Sequence, residues 1–183
     1  VSALAEKAGH LPVGDPTSGT VALGPIIDDK QLHRIDSIVQ DAVQGGARLA
    51  AGGTHDGRFY RPTVLADLDV ASPAWKDEIF GPVAPVMKFS TVEEAVALAN
   101  GNEYGLSIGI LGDVGMAMTI ADQLDSGKVH INEQTVSDEA NSPFGGMKSS
   151  GNGSRIGGHH ANMESFTEVQ WLTVRPDIAP YPF

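Results

Sequence analysis

The stretch Lys76-Asp77-Glu78-Ile79-Phe80-Gly81-Pro82-Val83 sets a carboxylate, an aromatic ring and a Gly-Pro turn directly ahead of a β-rich run. A carboxylate accepts hydrogen bonds from a vicinal diol such as a ribose. An aromatic residue two positions on lies on the same side of an extended chain and packs against a sugar or a flat ring. The same pattern also fits a solvated Glu78 beside a core Phe80. Other residues with chemical potential point less far. Gly151-Asn-Gly153-Ser-Arg155-Ile156 has Ile where a phosphate-cradling G-x-G-x-x-G needs its third glycine, so a bend-rich surface loop fits better. His159 and His160 are adjacent and point apart on a helix or a strand, which makes a poor chelate, and no metal site is expected. Asp138-Glu139 reads as a solvated acidic face rather than an acid-base pair. Trp75 and Trp171 read as packing residues.

The elements around these residues follow from periodicity. Val1 to Ala8 reads as helical with no cap before it, as if a helix were cut in mid-course. Leu32, Ile35, Ile38, Val39, Ala42 and Val43 recur at helical spacing, with Asp28 or Asp29 to cap the start and Gly45-Gly46 to end it. Tyr60 to Leu65 is a short β-rich run that Pro62 demotes to an edge or a bend. Val83 to Phe89 reads as a strand, and Thr91-Val-Glu-Glu94 as a capping box opening a helix. Leu106 to Leu111 reads as a strand, Met116 to Leu124 as a helix closed by Gly127, and Lys128 to Asn132 as a strand. This order predicts an α/β fold, a largely parallel sheet with flanking helices. From Asn132 to His160 the signals fade. Phe166 to Val174 alternates and predicts a further strand.

Composition limits the function. With 183 residues, 41% hydrophobic and 19% charged, the chain is long and apolar enough for a sizeable core. Lys and Arg number 12 against 23 Asp and Glu, a formal charge of -11, which argues against a nucleic-acid partner. No run approaches a membrane span and no signal peptide is visible, so a cytoplasmic protein without a membrane partner is expected. The chain has no cysteine. Disulfides, cysteine-ligated metals and a thiol nucleophile within these residues are excluded.

Ordered blocks along nearly the whole chain resemble the aldehyde dehydrogenase superfamily. They are Leu23-Gly-Pro-Ile26, Gly45-Gly-Ala47 with Gly52-Gly53, Phe59-Tyr-Arg-Pro-Thr-Val64, Glu78-Ile-Phe-Gly-Pro-Val83, Glu94-Ala-Val-Ala-Leu-Ala-Asn100 with Tyr104-Gly-Leu106, Gly127-Lys-Val-His-Ile-Asn132, Pro143-Phe-Gly-Gly146 with Lys148 and Ser150-Gly151, and Phe166-Thr-Glu-Val169. Each block is weak alone, and eight in the family's order are specific. The family's S-G-x-G-R-E becomes Ser150-Gly-Asn-Gly-Ser-Arg155, which moves the Arg by one place and loses the acid. The loop from Asn132 to Ser142 resembles the branch acting on benzaldehyde, vanillin or salicylaldehyde.

The resemblance implies roles. Glu78 matches the glutamate that binds the nicotinamide-side ribose, and Phe80 the aromatic that packs on the cofactor. Phe144, Thr135 and Val136 fall in the loop that lines the aldehyde entrance. The cofactor is NAD, with NADP open, bound mostly by a missing N-terminal domain. The family's cysteine nucleophile, general-base glutamate and oxyanion Asn all precede this segment, so no catalytic residue is expected here. Residues 1–165 correspond to the C-terminal part of the catalytic domain. Residues 166–183 correspond to an oligomerisation strand and tail, with a homo-oligomer formed through 166–174. The substrate is a small aldehyde, an aromatic one first. A truncated assembly module without catalysis, and an acylating or semialdehyde enzyme of the same superfamily, are the alternatives.

Overall fold

The computed structural model describes residues 1–180, so the last three residues of the expected 166–183 tail lie outside it. The chain divides into two compact units, residues 1–95 and residues 96 onward.

The first unit is organised by a long amphipathic helix. Helix α1 (Ser2–His10) is followed by α2 (Asp29–Gln44). The Asp28 side chain caps α2 by accepting from the backbone N–H of Gln31 at 2.7 Å, which satisfies one of the orphan donors at the helix start. Leu32, Ile35, Ile38, Val39 and Ala42 form its buried face, as the spacing predicts. Strand β1 (Arg48–Ala51) follows, then a small antiparallel hairpin of β2 (His55–Asp56) and β3 (Phe59–Tyr60). Next come β4 (Thr63–Ala66), the short helix α3 (Pro73–Lys76) and β5 (Val83–Val86). Strands β1, β4 and β5 form one sheet in that order, with β1 antiparallel and β5 parallel to β4.

Strand β4 corrects one expectation. The run containing Pro62 is not an edge. β4 is the middle strand of its sheet and is buried throughout. Pro62 sits in the bend just before it, where its missing N–H costs no ladder bond. Pro85 lies within β5, which has β4 on one side only in this sheet, the position where a strand tolerates proline. Asp67, directly after β4, receives the Arg48 guanidinium at 3.0 Å and Lys88 at 3.4 Å. The hydrogen bond from Arg48, then that from Lys88, holds its carboxyl below the usual carboxylate range.

Helix α4 (Val92–Asn100) begins as the capping box predicts. The Thr91 hydroxyl accepts from Glu94 N–H at 3.2 Å, but the Glu94 carboxylate reaches one residue further back, to Ser90 N–H at 2.7 Å. In the second unit β6 (Tyr104–Gly105) is followed by β7 (Ser107–Ile110), α5 (Val114–Ala121) and β8 (Lys128–Ile131). β7 and β8 pair in parallel around α5, a βαβ unit. The Asp113 side chain caps α5, which ends at Ala121 rather than running to Leu124. Gly127 does not close it, but donates its N–H to Gly105 O as the chain enters β8. Strand β9 (Met147–Lys148) pairs antiparallel with β6.

The chain is therefore α/β, but in place of the expected largely parallel sheet the described residues form one short mixed sheet and three two-stranded pairs. Among the described residues β4–β5 and β7–β8 are parallel, and the three other pairings are antiparallel. The antiparallel strands are two to four residues long, too short to show a period. A final helix α6 (His159–Phe166) was not expected, since its apolar residues keep no regular spacing. Phe166 is its last residue, so the expected 166–174 strand does not begin there. Residues 167–174 form no strand within the chain, and Val169, Trp171, Leu172 and Val174 are exposed. Among the described residues no helix is long and apolar enough to cross a membrane.

Tyr60 gives the first unit a pH limit. Its ring is buried and its hydroxyl donates to Asp36 at 3.1 Å. Burial, then the Asp36 charge, pushes the phenol well above its ordinary value. A raised folded pKa stabilises fully below the unfolded value of about 10, and that contribution is lost as pH rises from there towards the folded pKa. The urea midpoint should fall between about pH 8 and about pH 11, and Tyr60→Phe should flatten this fall while costing about 1 kcal/mol at the lower pH. An equally steep fall in the variant would assign the loss to other groups.

Candidate functional site

Residues 77–82 form a turn between α3 and β5, anchored on α2. Ile79 is buried in the same apolar cluster as Leu32 and Ile35. Glu78 is exposed on one side of it, and Phe80 is 71% exposed on the other. The exposure alternates as an extended reading expects, but the backbone is not extended, because Phe80 has φ +52°. That is the left-handed region, which a bulky L-residue occupies at a cost. Of the two readings of this stretch, a core Phe80 is ruled out for this unit.

The backbone of the turn is held by α2. Gln31 Nε2 donates to Ile79 O at 2.8 Å and to Phe80 O at 3.2 Å. Arg34 Nη1 donates to Glu78 O at 2.9 Å and to Ile79 O at 3.2 Å, and its Nη2 lies 3.7 Å from the Asp77 carboxylate. A Cβ on Gly81 would sit 2.6 Å from Ile35 Cδ1, so only glycine lets the chain come this close to the helix. Sequence reasoning missed Gln31 and Arg34. The available signal was their place beside the core positions Leu32 and Ile35 on α2. An exposed carboxylate and an exposed ring on an immobilised turn fit the ribose and flat ring of a dinucleotide, with the turn's carbonyls already hydrogen-bonded.

The second unit carries a cavity of about 1130 Å³ whose walls include Lys128, His130, Asp138, Phe144, Ile156 and Phe166. Phe144 is fixed by exchanging backbone hydrogen bonds with Ile156, at 2.7 and 2.9 Å. The Lys128 ammonium lies 4.5 Å from the centre of the Phe144 ring and pairs with Asp138. His130 Nε2 is buried with no hydrogen-bond partner among the described residues. Thr135 and Val136 do not line this cavity. Thr135 is exposed and its carbonyl accepts from Ser107 Oγ at 3.0 Å, while Val136 projects into solvent. Of the three expected substrate residues, the structure places only Phe144 on the cavity wall.

The approach to this loop is set at Asn132, whose φ is +57°. Its side chain accepts from Gly112 N–H at 2.8 Å and donates to Gly112 O at 2.9 Å, which locks the ends of β7 and β8 together. Asn tolerates left-handed backbone better than most residues, so the sequence could have signalled a sharp exit from β8. The glycine tract packs on itself. A Cβ on Gly146 would meet Ser150 O at 2.1 Å. It is a tight surface turn rather than a phosphate cradle. Asp138 is paired with Lys128, and Glu139 is exposed. The His159 and His160 rings meet edge-on at the start of α6.

Comparison with known proteins adds identity to this geometry. Residues 1–172 match the model of the aldehyde dehydrogenase family. Vanillin dehydrogenase of an Amycolatopsis species is 54% identical over all of this chain, which covers 38% of that protein. Benzaldehyde dehydrogenase [NAD(+)] of Pseudomonas putida is 45% identical over 98% of this chain, and 37% of that protein is covered. The crystal structure of a salicylaldehyde dehydrogenase from Pseudomonas putida G7 complexed with salicylaldehyde superposes with a TM-score of 0.89 at 36% identity, covering 98% of this chain and 37% of that one. The chain thus spans under two-fifths of the length of these relatives.

Lys128 ties the cavity wall to its loop, which makes it a sharp probe. Lys128→Met should leave Asp138 unpaired and remove the cation from the Phe144 ring, a loss of about 1 kcal/mol. Amide exchange over residues 137–144 should quicken about fivefold, with Lys128→Arg close to the parent. Unchanged exchange in the methionine variant would show that Lys128 does not hold this loop.

Proposed function

Because this chain belongs to the aldehyde dehydrogenase family, we propose that it supplies one wall of the nucleotide site and one of the aldehyde site of a longer NAD(P)-dependent enzyme that oxidises an aromatic aldehyde to its acid. The observation that carries the reading is the Glu78–Phe80 turn, a carboxylate and a ring exposed on a rigid backbone. Glu78 accepts the ribose hydroxyls nearest the nicotinamide, and Phe80 packs on the cofactor and orients it. The nicotinamide, when bound, takes up the hydride. Phe144 flanks the aldehyde, with Thr135 and Val136 at the mouth of its entrance. The preference for an aromatic substrate rests on the named activities of the similar proteins. NAD is favoured over NADP on the same ground, and a cytoplasmic location is part of the reading.

The division of labour is chemical. Thioester formation needs a thiolate, and these 183 residues contain no cysteine. The nucleophile and the general base that activates water against the thioester come from outside them, so the 183-residue chain alone should give no aldehyde-dependent NADH. Sustained turnover at about 1 s⁻¹ or faster would overturn this. In the complete polypeptide, Glu78→Gln should raise KM for NAD about tenfold and leave KM for the aldehyde within about twofold. An unchanged KM for NAD would remove Glu78 from the nucleotide site.

The exposed run after α6 favours assembly as well. Val169, Trp171, Leu172 and Val174 are too apolar to remain solvated over so short a stretch, and an unpaired extended segment offers its backbone to a second chain. We propose that residues 167–174, the extended part of the expected 166–174 segment, pair with another copy of the protein. Trp171→Asp should shift the sedimenting species of the complete polypeptide to a smaller size, and an unaltered distribution would place the interface elsewhere.

A further inference from the structure

We infer that Asn152 is a site of spontaneous covalent modification, where the side-chain amide is lost through a cyclic imide to leave aspartate and isoaspartate, while the fold protects the chain's other Asn-Gly pair, Asn100-Gly101. The chemistry is intramolecular and needs only water and base. The backbone nitrogen of the following residue gives up its proton and attacks the Asn Cγ. An N–Cγ bond forms, the Cγ–Nδ2 bond breaks and ammonia leaves. Water then opens the imide at either carbonyl. One opening gives aspartate, and the other gives isoaspartate, in which the main chain runs through the side-chain methylene. Glycine in the following position favours attack, since no Cβ shields the nitrogen or restricts its approach.

Asn152 has each part of this reaction in place. It is exposed and lies outside any helix or strand. Its peptide link to Gly153 is free to turn, because neither the Asn152 carbonyl nor the Gly153 N–H has a hydrogen-bond partner among the described residues. Gly153 takes φ +88°, and a Cβ there would meet nothing. The turn brings the Ser154 N–H to Asn152 Oδ1 at 3.0 Å. That bond folds the carboxamide back over its own backbone. It also places a donor where negative charge develops on Oδ1 during attack.

Asn100 shows the opposite arrangement. It is the last residue of α4 and is half-buried. Its Nδ2 donates to Gln123 O at 2.8 Å, and its Oδ1 accepts from Asp125 N–H at 2.9 Å. The peptide plane that would have to rotate is also held. Asn100 O accepts from Lys148 Nζ at 2.9 Å, and Gly101 N–H donates to Leu98 O at 3.4 Å. A donor on Oδ1 is common to both residues, so the difference lies in the fixed amide and the occupied nucleophile. Two or more of these bonds must open before attack, which slows the reaction at least about tenfold.

Isoaspartate at 152 matters because the added main-chain methylene enters just ahead of a close-packed segment. A Cβ on Gly145 would sit 2.5 Å from Ser154 O, and Ile156 exchanges both backbone bonds with Phe144. Lengthening the chain at 152 loosens that pairing, whereas a change of charge alone leaves it intact.

The 183-residue chain, held in mildly alkaline buffer at physiological temperature, provides the test. Its tryptic peptide 149–155 should gain aspartyl and isoaspartyl forms at least about tenfold faster than peptide 89–128 loses the Asn100 amide. In urea the two rates should converge. An intact Asn152, equal rates in the folded chain, or an undiminished difference in urea would overturn the inference. Asn152→Gln, whose longer side chain closes the ring poorly, should stay unmodified, and conversion as fast as in the parent would overturn the imide route. Amide exchange at Phe144 and Ile156 should be about fivefold quicker in the isoaspartyl form than in Asn152→Asp. Equal exchange in the two would overturn the coupling to Phe144.

Discussion

The contact between Ile35 and Gly81 fixes how closely the turn at 77–82 approaches α2, and much of the first unit depends on that distance. Ile35 is fully buried, and with its side chain in place the turn comes this near because residue 81 has no Cβ to press on it. Once it is near, Ile79 drops into the cluster formed by α2, and its neighbours on either side are left facing solvent. The apolar stripe of α2 thereby organises two things. Its core face packs with Tyr60 and Leu65, and its edge residues reach the turn as hydrogen-bond donors.

Such coupling explains why a strained residue persists in an exposed place. Left-handed backbone at Phe80 costs about 1–2 kcal/mol. Hydrogen bonds from neutral and charged donors to the flanking carbonyls contribute about 1 kcal/mol each in net terms. The second effect is the larger, because three such bonds reach those two carbonyls. The balance favours a rigid, strained turn over a relaxed, mobile one. That would suit the role proposed for the turn, meeting a flexible dinucleotide with little further loss of entropy.

Sequence alone made parts of this legible and hid others for physical reasons. α2 was readable because its buried residues keep a regular period and Asp28 is a strong cap. The parallel pair around α5 followed from the order of strand and helix. β1, Arg-Leu-Ala-Ala, lacks the β-branched and aromatic residues that mark a strand, β9 has only two residues, and the apolar residues of α6 keep no regular spacing. Pro62 misled because proline marks the end of a ladder, and it does not say whether the strand beyond it is central. At the site, Glu78, Phe80 and Phe144 came from ordered blocks. Gln31 and Arg34 did not, because their contacts cross 44 to 49 positions and end on backbone oxygens, which carry no side-chain signature.

The second unit achieves order by a different route. Among the described residues after position 95, only Gly105, Ala117, Ser126 and Ala161 are buried, so apolar packing contributes little there. Side chains instead bond the backbone across the unit. Asn132 closes on Gly112, Asn100 reaches Gln123 O and Asp125 N–H, and the Lys148 ammonium donates to the carbonyls of Asn100 and Asn102. Each lock holds one loop at one point. Backbone so fixed can present Phe144 and its cavity on irregular chain, which no sheet or helix period would place there. Lys148, itself at φ +50°, shows the same logic as Phe80, since a residue in an unfavourable conformation is held by partners on a different segment. In both units, then, the surface proposed to meet cofactor or aldehyde is shaped by side-chain donors aimed at distant carbonyls. Those long-range, backbone-directed bonds set the geometry that local propensity alone would not select.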